Sequence, residues 1–247
     1  MIAWDAVRDG GAFHHGGVSA LRADPISEAH AGAAEMSALQ PMLALFDEPS
    51  RQEAAPASTG RPHTERIVAD ATDRVAWLRA RARGVTATDV ARLTGDHAVR
   101  VLAIEKLLGT GFSGNAYTEH GRRREPEIAH WARRVYGMRP STALFHADGQ
   151  PLHLATPDGL REVGSRLELC EIKTTSSAWR RIPRHYLRQV WWQQYVLGAE
   201  RTLVVWEQHE GFVPVGAEPE VRWVDRDEDE IHRLVVLADR LLDAMRR

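Results

Sequence analysis

The second half of the chain alternates between strand-like and helix-like segments, and this order limits the folds open to it. Residues 165–175, SRLELCEIKTT, have the pattern of a strand. The segment IPRHYLRQVWWQQYVLG predicts a helix that begins after Pro183 and ends at Gly198. Two strand-like segments and a helix follow, RTLVVWEQ, EVRWVD and DEDEIHRLVVLADRLLDAMRR. The order predicts an α/β fold, with a small mixed central sheet flanked by helices on both faces.

Four helices are predicted between His63 and Gly137. The first has Thr64 as its N-cap and apolar residues at helical spacing, which are Ile67, Ala71, Val75 and Leu78. A short second helix ends at Gly95, and a third is closed by Gly109. A long fourth helix is predicted over 119–136.

The first 62 residues differ in composition from the rest of the chain. They are rich in Ala, Gly, Ser and Pro, and the segment EPSRQEAAPASTGRP breaks any periodic pattern. Such a composition predicts a mostly disordered tail, with one helical piece near residues 26–46. Residues 63–247 are predicted to be the folded domain.

Composition excludes several classes of site and location. The single cysteine, Cys170, excludes an internal disulfide, a cysteine zinc site and a cysteine-ligated iron–sulfur cluster. No segment approaches the roughly 18 apolar residues that span a membrane, and no secretory signal is recognised, so we expect no membrane association. The expected setting is the cytoplasm of a bacterial or phage-infected cell.

The charge is unevenly distributed along the chain. The net charge of −2 argues against nucleic-acid binding by itself. However, residues 63–206 carry more basic than acidic side chains, whereas both flanking segments are acidic. This pattern is compatible with phosphate contact by the central region, although ordinary fluctuation of charge would also produce it.

The segments ATPDGL and LELCEIKTT each contain a carboxylate, and the interval between the two allows them to meet. Asp158 is predicted to end one strand, and Glu171 lies in the following strand, so a hairpin would bring them together. Adjacent carboxylates repel unless a cation lies between them, and hard oxygen ligands suit Mg²⁺ or Mn²⁺. Taken alone, however, Pro-Asp-Gly is also a common turn.

Lys173 is one of two lysines in a chain whose other basic residues, His apart, are arginines. Glu171 and Lys173 face the same side of a strand, where an ordinary ion pair is the simplest interpretation. Lysine differs from arginine in being a compact donor whose pKa can be depressed by burial or by a nearby cation. Beside a metal, such an amine could orient or deprotonate an attacking water.

Five segments in register resemble one family of nucleases. The residues Pro157, Asp158, Glu171 and Lys173 match the PD-(D/E)xK nuclease signature. The chain resembles the lambda-exonuclease and YqaJ-like viral recombinase family over about residues 72–208. The matching segments are WLRARARGVTATDVARLTG, HGRRREPEIA, ATPDGL, LELCEIKTT and YLRQVWWQQYVLGAERTLVVW. The resemblance implies a restriction-endonuclease-like core.

The resemblance also implies a role for each matching residue. The implied metal ligands are Asp158, Glu171 and the backbone carbonyl of Ile172. Lys173 matches the catalytic lysine. Glu125 matches an acid on a helix that supports the metal centre, and Gln189 a glutamine beside it. Arg81 and Thr88 match positions that bind the 5′-phosphate of a DNA end, with Thr88 where the family usually has serine.

Further arginines are candidates for contact with DNA. Arg122, Arg123 and Arg124 precede Glu125, and Arg188 precedes Gln189, so each would lie near the metal in the implied fold. The alternative is that they form a solvated helix face.

A short motif in the tail resembles a peptide that docks on bacterial sliding clamps. The motif, QPMLALF at residues 40–46, places Gln40, Leu43, Leu45 and Phe46 at the expected spacing. The alternative is that its apolar side chains cover a groove on the nuclease domain or on another subunit.

The expected function is a Mg²⁺- or Mn²⁺-dependent deoxyribonuclease, specifically a 5′→3′ exonuclease on linear double-stranded DNA. The resemblance further implies phage-type recombination, a single-strand annealing protein as partner and a homotrimer. Two alternatives remain open at this point. One is another PD-(D/E)xK endonuclease or a RecB-type processing nuclease, and the other is a non-catalytic DNA-end or clamp-associated module.

Overall fold

The structure is a computed structural model that describes residues 61–110 and 114–246. The helical piece near 26–46 and the motif at 40–46 lie outside the described residues. The helices are α1 (Arg74–Arg83), α2 (Ala87–Arg92), α3 (Asp96–Leu108), α4 (Ala116–Tyr136), α5 (Arg184–Leu197) and α6 (Glu228–Arg246). The strands are β1 (Ile67–Asp70), β2 (Val85–Thr86), β3 (Arg139–Pro140), β4 (Ala143–Ala147), β5 (Gln150–Ala155), β6 (Gly159–Val163), β7 (Arg166–Thr175), β8 (Arg201–Glu210), β9 (Val213–Pro214) and β10 (Glu220–Asp225).

The predicted mixed sheet is present, but the strands form two sheets. The larger sheet has the order β10-β8-β7-β6-β3, with β9 paired to β8. Within it β7 and β8 are parallel and joined through α5, whereas the other pairs are antiparallel. The smaller sheet has the order β1-β4-β5-β2.

Helices cover both faces of the larger sheet, as predicted. On one face Cys170 and Ile172 of β7 pack with Ile128 and Ala132 of α4. On the opposite face Leu169 joins the core formed with α5 and α6. Successive strand residues point to opposite faces, so Glu171 and Lys173 lie on the α5 side.

The first predicted helix is wrong over its N-terminal half. Residues His63–Arg66 form a 3-10 helix, β1 follows, and the α-helix starts only after Asp73, which caps α1. Between strand and helix, the Asp70 side chain accepts a hydrogen bond of 2.9 Å from the backbone N–H of Thr72. Such local bonds from Asp compete with helix formation. Two aspartates three residues apart therefore define a turn.

The other predicted helices are close to their observed positions. Gly109 and Gly137 adopt left-handed backbone conformations that close α3 and α4. The fourth helix begins three residues earlier than predicted, because Asn115 caps it by accepting a hydrogen bond from the N–H of Thr118. None of the helices in the described part of the chain has the length and apolarity needed to cross a membrane.

Arg66 connects the first described residues to the far end of α5. Its buried guanidinium donates hydrogen bonds to the carbonyls of His146 (2.6 Å), Val196 (2.5 Å) and Leu197 (3.1 Å). Val196 and Leu197 end α5, where the last carbonyls of a helix lack partners within the helix. Arg66, which precedes β1, therefore supplies hydrogen-bond donors to these carbonyls.

Candidate active site

The β6–β7 hairpin brings Asp158 and Glu171 together. Asp158 directly precedes β6, and its N–H donates to the carbonyl of Cys170 at 3.1 Å. The N–H of Ile172 donates in turn to Asp158 Oδ2 at 2.6 Å. The predicted proximity is therefore found, but Asp158 lies directly before β6, the first strand of the hairpin, and does not end β5. Both carboxylates are buried, with 7% of Asp158 and 2% of Glu171 exposed.

Gly159 permits this close approach of the strands. A Cβ at this position would lie 3.1 Å from the carbonyl oxygen of Arg139 and 3.2 Å from the Cβ of Cys170. Both contacts are tighter than side chains normally accept. The glycine of the PDG segment therefore serves strand packing next to Asp158, whereas the sequence alone also allowed a simple turn.

Lys173 lies in the same buried region. Its ammonium group forms an ion pair with Glu171 Oε1 and lies 5.1 Å from the centre of the Tyr186 ring. Burial lowers the pKa of Lys173, but the negative charges of Glu171 and Asp158 raise it by more, so the net shift is upward. Burial therefore does not give Lys173 a depressed pKa here, and the side chain is a charged donor in this arrangement.

Gln193 completes the surroundings of Glu171. Its side-chain amide donates to Glu171 Oε2 at 2.7 Å, while Lys173 faces the other oxygen. The sequence pointed to Gln189 and not to Gln193 as the glutamine of the site. The two residues are four apart on α5 and therefore lie on one helix face, which is the signal that could have identified both.

Glu125 of α4 adds a third acid. Burial raises the pKa of Glu125. Burial also raises the pKa of Asp158 well above its usual range, and the charges of Glu171 and Glu125 raise it further. Three acids therefore share one buried ammonium group, and a bound cation would relieve the repulsion that raises these pKa values.

A cleft of about 330 Å³ joins these residues to the predicted DNA-binding positions. Seven of the predicted site residues are among those that line it, namely Arg81, Thr88, Arg122, Glu125, Asp158, Glu171 and Gln189. Trp77 and Gln193 also line it. Lys173 and Ile172 line a smaller adjoining pocket, which shares Arg122 and Glu125 with the cleft.

Arg81 is held against an aromatic ring within the cleft. The centre of its guanidinium lies 4.3 Å from the centre of the Trp77 ring, within the range of a cation–π contact. Burial lowers the pKa of Arg81. Thr88, near the start of α2, also lines the cleft.

The structure does not bring three of the other predicted arginines to the cleft lining. Arg124 donates two hydrogen bonds to the buried Glu207, at 2.8 and 2.7 Å, and also pairs with Glu127. Arg188 donates to the carbonyl of Ala91 at 3.3 Å, an interaction between α5 and α2. Arg123 is exposed on α4 outside this lining. Arg124 and Arg188 are thus engaged with partners inside the protein, whereas the sequence suggested that they contact DNA.

The donor set fits a hard divalent cation in chemistry and charge. Two carboxylates, Asp158 and Glu171, flank the backbone of Ile172, and oxygen donors of this kind suit Mg²⁺ or Mn²⁺. Over residues 61–110 and 114–246, no three His, Cys, Asp or Glu side chains form a group that could hold a metal ion. A site here would therefore rely on the two carboxylates with backbone and water oxygens.

The residues Pro157, Asp158, Glu171 and Lys173 thus carry the PD-(D/E)xK signature within a fold shared with nucleases. The family model of the YqaJ-like viral recombinase domain matches residues 76–200, half of the chain. The chain therefore belongs to the YqaJ-like viral recombinase family, as its sequence motifs predicted.

Solved structures share this fold at low sequence identity. An alkaline exonuclease from Laribacter hongkongensis, LHK-Exo, is 20% identical, with a TM-score of 0.56 over 69% of this chain and 91% of that one. Its complex with dAMP gives a TM-score of 0.57 at the same identity and coverage. A phage-related exonuclease from Haemophilus somnus 129PT is 13% identical, with a TM-score of 0.50 over 66% of this chain and 93% of that one. A search of curated proteins gives no significant match.

Proposed function

We propose that this nuclease is a metal-dependent 5′→3′ exonuclease that degrades linear double-stranded DNA. The observation that carries the proposal is the single cleft that joins the buried acids Asp158 and Glu171 to Arg81 and Thr88. A site that binds a terminal phosphate beside the hydrolytic centre selects DNA ends over internal positions. The exonuclease names of the similar structures, and the dAMP bound in one of them, are in line with this activity.

Mg²⁺, or Mn²⁺ in its place, would be held by Asp158, Glu171 and the backbone carbonyl of Ile172. When bound, the ion polarises a phosphate oxygen and lowers the pKa of a coordinated water. Glu125 adds negative charge beside these ligands, and Gln193 holds Glu171 in one orientation through its hydrogen bond.

Lys173 acts as a charged hydrogen-bond donor in this proposal. Its ammonium group is buried beside Glu171, so its donors are fixed in direction and little screened by water. It orients the attacking water and stabilises negative charge that builds up on the phosphate during in-line attack. Gln189, buried in the cleft lining, contacts the substrate phosphate or the carboxylates.

Arg81, Thr88 and Arg122 bind the DNA backbone. Arg81 and Thr88 hold the 5′-phosphate, because a guanidinium and a hydroxyl are suitable donors to phosphate oxygens. Arg122 lines both the cleft and the adjoining pocket, and it contacts a phosphate nearer the acids.

The biological setting in this proposal is phage-type recombination in the cytoplasm of a bacterial or phage-infected cell. The family name, viral recombinase, supports this setting. A single-strand annealing protein as partner, a homotrimeric assembly and a sliding-clamp contact through residues 40–46 remain predictions from the sequence.

Digestion of matched substrates tests the activity. Linear duplexes with 5′-phosphate or 5′-hydroxyl ends and a closed circle of the same sequence are incubated with and without Mg²⁺, and products are sized over time. We expect loss of the linear DNA from its 5′ ends, faster for the phosphorylated ends, and an intact circle. The variant Asp158→Asn serves as the inactive control.

Other outcomes would identify the alternatives. Cutting of the closed circle would favour an endonuclease, and binding of ends without digestion in any divalent metal would favour a non-catalytic module. Metal binding has its own readout in thermal unfolding. A ligand at a hundred times its Kd stabilises the folded state by about 2.7 kcal/mol, so saturating Mg²⁺ should raise the Tm of the wild type and not that of Asp158→Asn.

A further inference from the structure

The second lysine of the chain, Lys106 of α3, connects two elements that line the cleft. Its Nζ donates to the backbone carbonyl of Arg81 at 3.1 Å and to Asp89 Oδ2 at 2.9 Å. The side chains of Lys106 and Asp89 are 11% and 13% exposed. Lys106 is not among the cleft-lining residues, so any effect on substrate would pass through its partners.

Each partner of Lys106 belongs to an element that carries one of the proposed end-binding residues. The first partner is the main chain of Arg81 itself, in the last turn of α1. The second, Asp89, closes the capping box of α2 by accepting hydrogen bonds from Thr86 N–H (2.8 Å) and Thr86 Oγ1 (2.9 Å). Thr88 lies in the first turn that this box fixes.

Arg81 is therefore constrained at both ends. Trp77 contacts the guanidinium from within α1, and Lys106 holds the backbone carbonyl from α3. The Trp77 contact does not fix the distance between Arg81 and Thr88, because Trp77 and Arg81 both belong to α1. The ammonium group of Lys106 contacts both α1 and Asp89 in the capping box of α2, so it can fix this distance.

The residue type suits this connection. A lysine ammonium is a compact group with three donors that rotate freely, whereas the five donors of arginine are fixed in a plane. The single Nζ of Lys106 donates both to a carbonyl of α1 and to a carboxylate of α2. A compact ammonium group suits this arrangement better than a planar guanidinium.

We propose that Lys106 is a positioning residue that sets the separation of Arg81 and Thr88, and thereby the preference for a 5′-phosphorylated DNA end. This inference depends on the proposed function, in which Arg81 and Thr88 bind that phosphate. The class of ligand concerned is a terminal phosphate monoester on duplex DNA.

The test compares Lys106→Met with a matched control, Glu105→Gln. Glu105 is the neighbouring residue on α3 and also pairs with α2, through Arg92 Nη2 at 2.8 Å, but it has no contact with the Arg81 carbonyl among those described. Kinetics are measured on linear duplexes with 5′-phosphate and 5′-hydroxyl ends. We expect Lys106→Met to lower the ratio of kcat/KM for the two ends about tenfold, mainly through KM, as for loss of a charge-assisted contact. Glu105→Gln should leave the ratio unchanged.

A double-variant comparison separates this inference from the proposed function. If Lys106 acts through Arg81, Lys106→Met should cause no further loss of end preference in an Arg81→Ala background. If Arg81→Ala itself retains the preference, end recognition by Arg81 is wrong. If Arg81→Ala loses the preference while folded Lys106→Met keeps it, the role of Lys106 is wrong and the proposed function stands.

A second variant covers the case in which Lys106→Met does not fold. Lys106→Arg keeps the positive charge that Asp89 requires but replaces the compact ammonium by a planar group. A folded Lys106→Arg with reduced end preference supports the positioning role, and one with full preference overturns it.

Discussion

The side-chain amide of Gln193 and Oε2 of Glu171 are joined by a hydrogen bond of 2.7 Å. The bond links α5 to β7 and leaves neither oxygen of Glu171 without a donor, because Lys173 faces Oε1. Gln193 thus fixes the rotation of a carboxylate that is proposed to hold a metal ion.

Gln193→Ala should therefore lower kcat about tenfold or more, with a smaller change in KM for DNA. A hydrogen bond to a charged group contributes about 1.5–3 kcal/mol, and here it orients a residue that acts in the chemical step. Steady-state digestion of linear duplex measures both constants. Gln194 provides the control, since this neighbouring glutamine donates to Thr202 Oγ1 (3.0 Å) and to the Val224 carbonyl (2.9 Å). Gln194→Ala should lower stability and leave kcat near the wild-type value.

Two inactivating substitutions should change stability in opposite directions. Asp158→Asn keeps an acceptor for the Ile172 N–H and removes one of the repelling carboxylates, so without metal it should raise the Tm by about 2–4 °C, corresponding to about 1 kcal/mol. Lys173→Met leaves Glu171 buried beside like charges, and breaking a buried pair costs about 3–5 kcal/mol. Both variants should lose Mg²⁺-dependent digestion. Thermal unfolding in EDTA measures the difference, and a destabilised Asp158→Asn would contradict the inferred repulsion.

Arg122 and Arg124 are two residues apart and should behave differently. Arg122 is exposed at the cleft, so Arg122→Ala should weaken DNA binding and reduce the slope of log K against log salt by about 0.9. Arg124 neutralises the buried Glu207, so Arg124→Ala should destabilise the fold by about 2–3 kcal/mol. Its salt slope should stay unchanged. Fluorescence anisotropy at several salt concentrations, together with urea unfolding, distinguishes the two effects.

Stability in acid should depend on Glu168 of β7. Burial raises the pKa of Glu168, but its hydrogen bonds and ion pairs with Arg161 and Arg201 more than offset this, so the net shift is downward. The stabilisation is then fully present above the unfolded-state pKa of about 4.3 and is lost as the pH falls through the lowered folded-state value. Glu168→Gln should be less stable than the wild type at pH 7, and the difference should shrink towards pH 3.

The exposed pair of Glu200 and Arg166 is a control for this effect. Its charged atoms lie 3.8 Å apart in solvent, and such pairs contribute about 0–1 kcal/mol. Glu200→Gln should therefore follow the wild-type pH profile, and a Glu168→Gln profile parallel to it would rule out the proposed contribution.

The hairpin of the site could be predicted because its signals are local. The interval from Asp158 to Glu171 matches two short strands, and alternation along β7 places Glu171 and Lys173 on one side. The first helix could not be predicted in full, because its apolar spacing continued through Ile67 while the turn depended on the side chain of Asp70. A periodic pattern does not report that local hydrogen bond.

The remaining differences come from long-range partners. Gln189, Gln193 and Gln194 all lie on α5, and only the position of β7 shows which amide reaches Glu171. In the run of three arginines, successive side chains point in different directions around α4. Glu207, 83 residues after Arg124, decides that this arginine is structural. Sequence patterns therefore identify which residues could act in the site, and the tertiary contacts show which of them do so and which are structural.

Arg66 limits how far the chain can be shortened from its N-terminal side. Its guanidinium supplies hydrogen-bond donors to the last carbonyls of α5, the helix that carries Gln189 and Gln193. A protein that starts at residue 63 retains this connection, whereas one that starts at residue 67 loses it and frees the end of the glutamine-bearing helix. We therefore expect a proteolytic fragment that lacks the four residues before β1 to lose activity as well as stability.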